Sequence, residues 1–272
     1  MQPSPSRFAL CADDFGLSAA VNDGIVDLIR ASRVRCTSVF SQAPAWPGAA
    51  SALRELHRTA EVGLHLNLTR RFDGAHSIRP LGWWLFAAPR ELVDAARIRT
   101  AFMSQIDLFT RHFGRLPDFV DGHRHVHALP VLRDVLTEVI AECWRGMRRP
   151  WVRAPDCLLD EGGSPLKGWV VRQATSGFAA HVENAGLRCT RQLGGIYSPV
   201  AAASFARLMR GWLHQLPSGT LIVVHPGRNR RDPATSAAAR RFEQYEYLRN
   251  RALSDDCESA NASLVRFCDI MP

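Results

Sequence analysis

Residues 7–16, RFALCADDFG, form a short apolar run that ends in two aspartates and a glycine. Six further apolar runs follow along the chain, and longer segments with helical periodicity lie between them. Strands that alternate with helices indicate a parallel sheet, either open or closed into a barrel. Seven candidate strands spread over 272 residues favour an α/β fold of the distorted (β/α) barrel type, similar to a TIM barrel, with mostly parallel strands.

The seven predicted strands have the sequences RFALCAD, CTSVFSQ, EVGLHLNL, PDFVDGHRHV, WVRAP, GTLIVVHPG and LVRFCDI. Helices are predicted over residues 19–32, 49–57, 97–113, 131–143, 204–216 and 237–253. Because no long Gly/Ser/Pro linker divides the chain, we expect a single domain over residues 1–272. Residues 156–200 show the least regular pattern and are a candidate insertion.

The charge and cysteine content limit the classes of function. The formal net charge is +8, with basic clusters at Arg148–Arg149, Arg228–Arg231 and Arg240–Arg241. No basic stripe is interleaved with aromatic residues, so we interpret these clusters as solvated surface and expect no nucleic-acid partner. Seven scattered cysteines, no apolar signal segment at the N terminus and apolar runs too short to span a membrane predict a cytoplasmic protein with reduced thiols.

Four of the predicted strands end in residues that can do chemistry. The first runs into Asp13 and Asp14, the third contains His65, the fourth contains His123, and the sixth ends in His225-Pro-Gly. In parallel α/β folds the active site lies where strands give way to the following loops. We therefore expect these side chains to meet at one rim of the barrel.

Each motif has a functional and a structural interpretation. Asp13 and Asp14 point to opposite faces of a regular strand, but at a strand end one can bind a metal while its neighbour takes a proton from water. The alternative is a capping Asp14 and a solvated Asp13. His65 shares a strand face with Asn67 and Thr69, which favours a polar pocket over a hydrogen-bonded core position.

The stretch DGHRHVH places three histidines within five positions. If the strand continues through it, alternation puts Asp121, His123, His125 and His127 on one face. Residues on one strand face lie about 6.5–7 Å apart, while metal–nitrogen bonds are about 2.0–2.1 Å. One strand therefore supplies one or two ligands, and the other ligands must come from elsewhere in the chain.

One carboxylate and two histidines with an open position for water are a common ligand set for a hydrolytic metal, which predicts metal-assisted hydrolysis of an amide or ester. A histidine at the position of His225 can act as general acid, and otherwise it is simply a residue at a turn. Two alternatives stay open. A metal-dependent phosphoester hydrolase on the same barrel needs more ligands, for two ions about 3.5–4 Å apart. A basic, non-enzymatic nucleic-acid-binding protein requires none of the motifs.

The segments ADDFGLSAAVNDGI, VGLHLNLT, DGHRHVH and HPG, in this order and at these intervals, resemble the YdjC-like (ChbG/HpnK) carbohydrate deacetylases. The resemblance implies a distorted barrel that removes an acetyl group from a small N-acetylated carbohydrate with one divalent metal ion, zinc or magnesium. It implies metal ligation by Asp14, His65 and His123. It also implies Asp13 as catalytic base and His225 as general acid.

Further residues receive supporting roles from the same resemblance. Arg153, in WVRAP, stands where the family often has an arginine, which implies that it orients Asp13 or the substrate. The remaining candidates for lining the pocket or supporting the ligands are Asn67, Asp121, His125 and His127. The family usually has an asparagine at the position of Cys11, which we interpret here as an apolar strand residue. The sequence leaves open whether the chain forms a homodimer.

Overall fold

A computed structural model describes residues 4–75, 77–159, 165–197 and 203–270 of the chain. The strands in these ranges are β1 (Ser6–Phe15), β2 (Cys36–Val39), β3 (Glu61–Leu66), β4 (Phe119–Gly122), β5 (Trp151–Val152), β6 (Arg188–Cys189), β7 (Gln192–Gly194), β8 (Thr220–Val224) and β9 (Ala262–Leu264). The helices are α1 (Ala19–Arg30), α2 (Trp46–Leu56), α3 (Leu81–Ala87), α4 (Ala95–Phe113), α5 (Leu132–Cys143), α6 (Pro165–Ala174), α7 (Phe178–Asn184), α8 (Phe205–Gln215), α9 (Ala238–Arg249) and α10 (Ala252–Ser259).

The strands form one parallel sheet in the order β6-β5-β4-β3-β2-β1-β8-β7, with β9 paired to the start of β1. β1 lies near the centre of this row because its residues from Phe8 to Phe15 are buried on both faces. A bridge between Leu158 and Leu193 joins the segment after β5 to β7, with the Leu159 N–H donating to the Leu193 carbonyl at 2.9 Å. The sheet is thus curled toward a barrel with flanking helices, which confirms the predicted fold class.

Most predicted helices are present, with shifted ends. α4 begins after Asp94, whose carboxylate accepts from the Arg97 N–H at 3.1 Å, and it ends at Gly114 in the left-handed region (φ 87°). The helix predicted over 237–253 is two helices, because Asn250 adopts an extended conformation between α9 and α10. No helix in the described part of the chain is long and apolar enough to cross a membrane.

The candidate insertion over 156–200 contributes to the sheet in its described part. It contains α6, α7 and the two short strands β6 and β7, which the sequence did not predict. β6 extends the sheet beyond β5, and β7 pairs with β8. Residues 160–164 and 198–200 of this segment lie outside the described residues, so the extent of an insertion stays a prediction.

The predicted strand through DGHRHVH is wrong beyond Gly122. β4 ends there, and His123–Ala128 form 3-10 turns in which Arg124 (φ 56°) and His125 (φ 61°) are left-handed. The chain folds back so closely that a Cβ at Gly122 would lie 2.8 Å from Nδ1 of His127. The three histidines therefore do not share one strand face. The last predicted strand, LVRFCDI, is also displaced, since β9 spans Ala262–Leu264 and Phe267–Asp269 form a 3-10 turn.

The opposite end of the sheet, at the start of β3, holds the acidic residue Glu61. Burial and, to a smaller extent, the nearby Asp118 raise the pKa of Glu61 to about 7. Asp118 itself accepts from Arg115 at 2.6 and 2.8 Å and from the Val62 N–H at 2.9 Å. The charge of Asp118 is therefore compensated, whereas ionised Glu61 is destabilising.

We predict that Glu61→Gln stabilises the protein at alkaline pH. The folded pKa of Glu61 lies above its unfolded value, so its favourable contribution is complete below about pH 4 and is lost as pH rises through about 7. At pH 8.5 the variant should gain about 1–2 kcal/mol in the free energy of unfolding, and near pH 4.5 little. Urea unfolding at both pH values measures this, with the exposed Glu55→Gln on α2 as control. Equal effects of the two substitutions at pH 8.5 would contradict the prediction.

Candidate active site

The carboxyl ends of β1, β3, β4 and β8 border one cavity of about 600 Å³. Five residues predicted from the strand ends line it: Asp13, Asp14, His65, His123 and His225. The structure thus brings together side chains that are far apart in the sequence: Asp13 and His225 are separated by 212 positions. Parallel strands deliver them to one rim because their carboxyl ends share one edge of the sheet.

Both aspartates of the ADDFG motif face the cavity because the backbone leaves regular strand geometry there. The pairing of β1 with β2 shifts register between Ala12 and Phe15. Asp14 has a φ of 73°, in the left-handed region that non-glycine residues rarely adopt. In a continuous strand the two carboxylates would point to opposite faces. The irregularity therefore places two carboxylates with different partners in one site.

Asp13 is held by a buried arginine on the segment after β5. Arg153 donates through Nη1 to Oδ2 of Asp13 at 2.6 Å and through Nη2 to Oδ1 at 2.8 Å. The hydroxyl of Ser38 donates to Oδ1 at 2.9 Å. Burial opposes the ionised carboxylate, but Arg153 and His65 outweigh it and hold the pKa of Asp13 well below its ordinary value. Asp13 is therefore an oriented anion.

His65 is held by Asp121, which lies at the end of β4. Nδ1 of His65 lies 2.6 Å from Oδ1 of Asp121, and Nη2 of Arg153 lies 2.7 Å from the other carboxylate oxygen. An ionised carboxylate only accepts hydrogen bonds, so Nδ1 carries the proton and Nε2 faces Asp14. Burial disfavours the charged imidazole, but Asp121, Asp13 and Asp14 outweigh it and raise the pKa of His65.

The two carboxylate oxygens of Asp14 have different neighbours, an arginine and a histidine. Nη2 of Arg241 donates to Oδ2 of Asp14. Oδ1 is buried, has no hydrogen-bond partner among the described residues, and lies 3.6 Å from Nε2 of His65. Burial opposes the charge on Asp14, yet Arg241 and His225 outweigh it and hold the pKa of this carboxyl well below its usual range.

The partner of Asp14 corrects the interpretation of one basic cluster. The Arg240–Arg241 pair was interpreted as solvated surface, but Arg241 is buried and both residues line the cavity. The other two clusters are exposed, as predicted. Arg241 lies on α9, 227 positions from Asp14, so no local signal in the sequence links the two residues. Only the fold brings α9 against the end of β1.

The three histidines of the 3-10 segment have different surroundings. Nδ1 of His123 lies 2.6 Å from the hydroxyl of Thr69, and burial lowers the pKa of His123 to about 3. His125 also lines the cavity, with a buried Nδ1 that has no hydrogen-bond partner among the described residues. His127 is buried outside the cavity, where its Nε2 lies 2.9 Å from the Arg153 carbonyl and burial lowers its pKa to about 4.

Asn67 shapes the loop after β3 and is not among the residues that line the cavity. Its Oδ1 accepts from the N–H groups of Thr69 at 3.2 Å and Arg70 at 2.9 Å. Its Nδ2 donates to the Arg70 carbonyl at 2.8 Å. Asn67 thus fixes Thr69, which contacts His123, and Arg70, which lines the cavity.

His225 follows β8 and is held through its backbone. Its N–H donates to Oε1 of Gln244 at 2.7 Å, and Nε2 of Gln244 donates to the Tyr197 hydroxyl at 2.7 Å. Burial lowers the pKa of His225, while Asp14 and Asp13 raise it. Gln244 and Tyr197 also line the cavity and were not singled out from the sequence, since a glutamine and a tyrosine form no recognisable pattern.

Two groups of side chains have the composition of a metal site. Cys11, Asp13 and Asp121 place ligand atoms within 4.8 Å of one another. However, Arg153 donates to Asp13 and, at 3.0 Å, to Sγ of Cys11, and it forms an ion pair with Asp121, so a guanidinium already supplies positive charge there. Cys11 is thus a hydrogen-bond acceptor as well as a strand residue.

The second group is Asp14, His65 and His123. Two ligands of a tetrahedral ion with bonds of about 2.0–2.1 Å lie about 3.3 Å apart. Oδ1 of Asp14 and Nε2 of His65, at 3.6 Å, are close to that separation, and Oδ1 has no other partner among the described residues. The His123 ring lies beside that of His65, with centroids 5.8 Å apart. Asp14 and His65 thus have the spacing of two metal ligands, and His123 lies beside them as the candidate third.

We predict that Arg153→Met costs about 3–5 kcal/mol in the free energy of unfolding, because it leaves Asp13 and Asp121 buried without their cation. Urea denaturation measures the loss, and Arg148→Met removes an exposed arginine as control. The double variant Arg153→Met/Asp121→Asn should recover part of the stability by removing one uncompensated charge. A loss below about 1 kcal/mol for Arg153→Met would show that the ion pairs do not stabilise the fold.

Comparisons with known proteins agree with the motifs. Residues 7–259 match the family described as YdjC-like protein. A human carbohydrate deacetylase is 28% identical over 256 residues, which cover 81% of this chain and 75% of that protein. A chitooligosaccharide deacetylase of Proteus mirabilis (strain HI4320) is 35% identical over 133 residues, 47% of this chain and 52% of that protein.

A solved structure shares the fold. It is a candidate cellobiose-phosphate cleavage protein from Enterococcus faecalis V583, with a TM-score of 0.71 and 18% sequence identity, covering 99% of this chain and 100% of that one. The family match covers nearly the whole chain and includes all four motifs. The resemblance inferred from the sequence is therefore confirmed, and this chain belongs to the YdjC-like protein family.

Proposed function

We propose that this protein is a metal-dependent carbohydrate N-deacetylase, which hydrolyses the amide of an N-acetylated sugar to acetate and a free amine. The observation that carries the proposal is the convergence of Asp13, Asp14, His65 and His123 beside His225 in one cavity. The names of the human and Proteus relatives, a carbohydrate deacetylase and a chitooligosaccharide deacetylase, support the same reaction and substrate class.

The cavity suits a small carbohydrate in size and in lining. Its volume of about 600 Å³ falls within the range of about 300–1,000 Å³ that is usual for small-molecule sites. Apolar side chains such as Leu81, Leu85 and Val171 line it together with the polar groups at the strand ends. Such a mixture can contact the apolar faces of a sugar while polar groups orient it.

Asp14, His65 and His123 would hold the divalent metal ion. When bound, such an ion polarises the substrate carbonyl and lowers the pKa of its water. Two imidazoles and one carboxylate suit zinc and also admit magnesium. Asp121 supports this ligand set by fixing which nitrogen of His65 carries the proton.

Asp13 is the residue that we assign as catalytic base. Arg153 and Ser38 fix its carboxylate and keep it ionised. Oδ2 accepts one bond, from Arg153, so it can accept a further hydrogen bond from the attacking water. Because Arg153 holds the pKa of Asp13 low, a proton taken up there is readily released.

His225 is the residue that we assign as general acid. The departing nitrogen needs a proton when the bond between the acetyl carbon and the nitrogen breaks. Burial lowers the pKa of His225, so its imidazolium gives up a proton more readily than a free imidazolium does. The hydrogen bond from its backbone to Gln244 positions the ring at the cavity.

The alternative of phosphoester hydrolysis by two metal ions has less support. The carboxylates that a second ion would need, Asp13 and Asp121, are bound to Arg153. Nucleic-acid binding has less support as well, since the basic residues nearest to the site line the cavity itself. Release of inorganic phosphate from phosphate esters, with two ions per chain, would favour the first alternative.

The predicted cytoplasmic location stays a prediction, and the possible homodimer stays open. All seven cysteines are free thiols in the structure, as is usual in reducing compartments. Cell fractionation and light scattering measure location and assembly directly; recovery outside the cytoplasm would contradict the predicted location.

We predict that the purified protein releases acetate from N-acetylated mono- or oligosaccharides and that a chelator abolishes this activity. Adding back zinc or magnesium should restore it, and the better of the two identifies the preferred ion. An enzyme-coupled acetate assay across a panel of sugars measures the reaction. Acetate release that is unchanged after complete removal of metal would exclude the metal-dependent mechanism.

We predict that single substitutions separate metal binding from turnover. Asp13→Asn should keep about one ion per chain and lower kcat at least about a hundredfold, because it removes the base. His65→Ala and His123→Ala should lose the metal, whereas His57→Ala, at an exposed position, should not. Elemental analysis and acetate release measure the two effects. Full metal content in both ligand variants would show that the assignment of the ligands is wrong.

A further inference from the structure

Tyr197 lines the cavity at a strand end that the sequence did not reveal. β7 ends at Gly194 and pairs with β8, which ends just before His225. Tyr197 follows the end of β7 by three residues, after Gly195, where a Cβ would clash with the backbone of Val223. The turn after β7 thus passes close against β8. Tyr197 reaches the same rim as His225 because the carboxyl ends of neighbouring parallel strands share one edge.

The hydrogen bonds of Gln244 fix the direction in which the Tyr197 hydroxyl donates. A backbone N–H can only donate, so the atom of Gln244 that lies 2.7 Å from the His225 nitrogen is its carbonyl oxygen, Oε1. The other end of the amide is therefore Nε2, which also can only donate, and it lies 2.7 Å from the Tyr197 hydroxyl oxygen. That oxygen is the acceptor in this pair, so the proton of the Tyr197 hydroxyl points elsewhere.

The proton of the Tyr197 hydroxyl has no acceptor among the residues that the structure describes, since the hydrogen bond of this hydroxyl is the one from Gln244. Burial raises the pKa of Tyr197 to about 12, so the hydroxyl keeps its proton at neutral pH. A buried donor without an acceptor is destabilising. Tyr197 is 8% exposed and lines the cavity, so a molecule bound there can supply the missing acceptor.

The position of the Tyr197 ring is set by packing and by its backbone. The ring centroid lies 6.2 Å from that of Phe205 and 6.2 Å from that of Trp212, both on α8. The Tyr197 carbonyl accepts from Nζ of Lys167, on α6, at 3.3 Å. A donor that is positioned in advance loses less entropy when it binds a ligand. The Tyr197 oxygen therefore has a defined place on the cavity wall.

The part of a substrate that lies nearest to Tyr197 follows from the role assigned to His225. A general acid lies beside the atom that it protonates, so the nitrogen that leaves the acetyl group lies at His225. One amide group, that of Gln244, separates the His225 backbone from the Tyr197 hydroxyl. The sugar carbon that bears the nitrogen therefore lies on the Tyr197 side of the cavity, and oxygens on the two adjacent carbons are the acceptors nearest to this hydroxyl.

We propose that Tyr197 is a substrate-contacting residue, whose hydroxyl donates a hydrogen bond to a sugar oxygen on a carbon next to the one that bears the acetamido group. The inference rests on the proposed deacetylase function and adds a specificity-determining residue to that site. The contact is made to the sugar and not to the acetyl oxygen, so it is equally strong before and during the reaction. It therefore lowers KM and leaves kcat nearly unchanged.

The first test combines a variant with altered substrates. Acetate release is measured from N-acetylglucosamine and from its 1-deoxy and 3-deoxy analogues, each of which lacks one oxygen next to the acetamido carbon. The wild type should lose about three- to tenfold in kcat/KM with one analogue, mainly through KM. Tyr197→Phe should lose a similar factor with N-acetylglucosamine and should no longer distinguish it from that analogue. Such non-additivity shows that the two groups contact each other.

Two further variants test whether the effect belongs to the hydroxyl proton. Gln244→Glu places beside Tyr197 a carboxylate, which only accepts, so the hydroxyl donates to it instead of to the sugar. The ratio of kcat/KM for sugar and analogue should then fall toward one, although the Tyr197 oxygen is still present. Tyr247→Phe removes a hydroxyl that is bonded to Asp256 at 2.8 Å, away from the cavity lining, and should keep the wild-type ratio. Thermal unfolding checks that each variant folds.

The second test measures binding without turnover. In isothermal titration with N-acetylglucosamine, Asp13→Asn/Tyr197→Phe should bind about three- to tenfold more weakly than Asp13→Asn, and both should bind the discriminating analogue equally. Equal binding of N-acetylglucosamine by the two variants, or no binding by either, would overturn the inference. A loss of kcat with unchanged KM in Tyr197→Phe, for sugar and analogues alike, would place the hydroxyl at the acetyl oxygen and would also overturn it.

The two tests separate failure of the inference from failure of the proposed function. Binding of N-acetylglucosamine that depends on Tyr197, without acetate release from any sugar by the wild type, would support the contact and contradict the deacetylase. Acetate release in which Tyr197→Phe keeps the wild-type ratio for both analogues would support the deacetylase and overturn the contact.

Discussion

The buried guanidinium of Arg153 is the interaction on which the site depends. It is 0% exposed and binds Asp13 on β1 and Asp121 at the end of β4, and through Asp121 it fixes His65 on β3. Two carboxylates without a cation could not be buried side by side, since each uncompensated charge costs several kcal/mol. One arginine therefore allows three strand ends to carry ionisable groups inside the fold, and it keeps Asp13 ionised.

The remaining geometry comes from places where the chain leaves regular structure. Asp14 is left-handed at the end of β1, and Arg124 and His125 are left-handed after β4. Regular strands would point Asp13 away from Asp14 and would spread the histidines along one face. The turns instead bring His123 beside His65 and place His127 against the Arg153 carbonyl. Backbone strain at these positions is the cost of gathering the side chains in one cavity.

The sequence predicted what depends on local pattern. Apolar runs that end in Asp or His are visible without a structure, so the parallel sheet, its active rim and five lining residues could be named. Partners that only the fold brings together could not be named from the sequence. Arg241, for example, was interpreted as a surface residue because its neighbours in sequence are also basic. The turn after Gly122 was missed because HRHVH has the alternation of a strand, and left-handed φ values leave no compositional signal. β6 and β7, with two and three residues, are too short for a pattern to show.

Residues on one face of α9 hold Asp14 and His225 in place, just as Arg153 holds Asp13 directly and His65 through Asp121. Arg241 donates to Asp14 through its side chain, and its carbonyl accepts from the Gly227 N–H at 3.1 Å, which fixes the turn after His225. Gln244, three residues later on the same face of the helix, accepts from the His225 N–H. Two remote arginines thus compensate two adjacent carboxylates. Because both carboxylates are compensated, the other charged side chains on the wall set the net charge of the cavity.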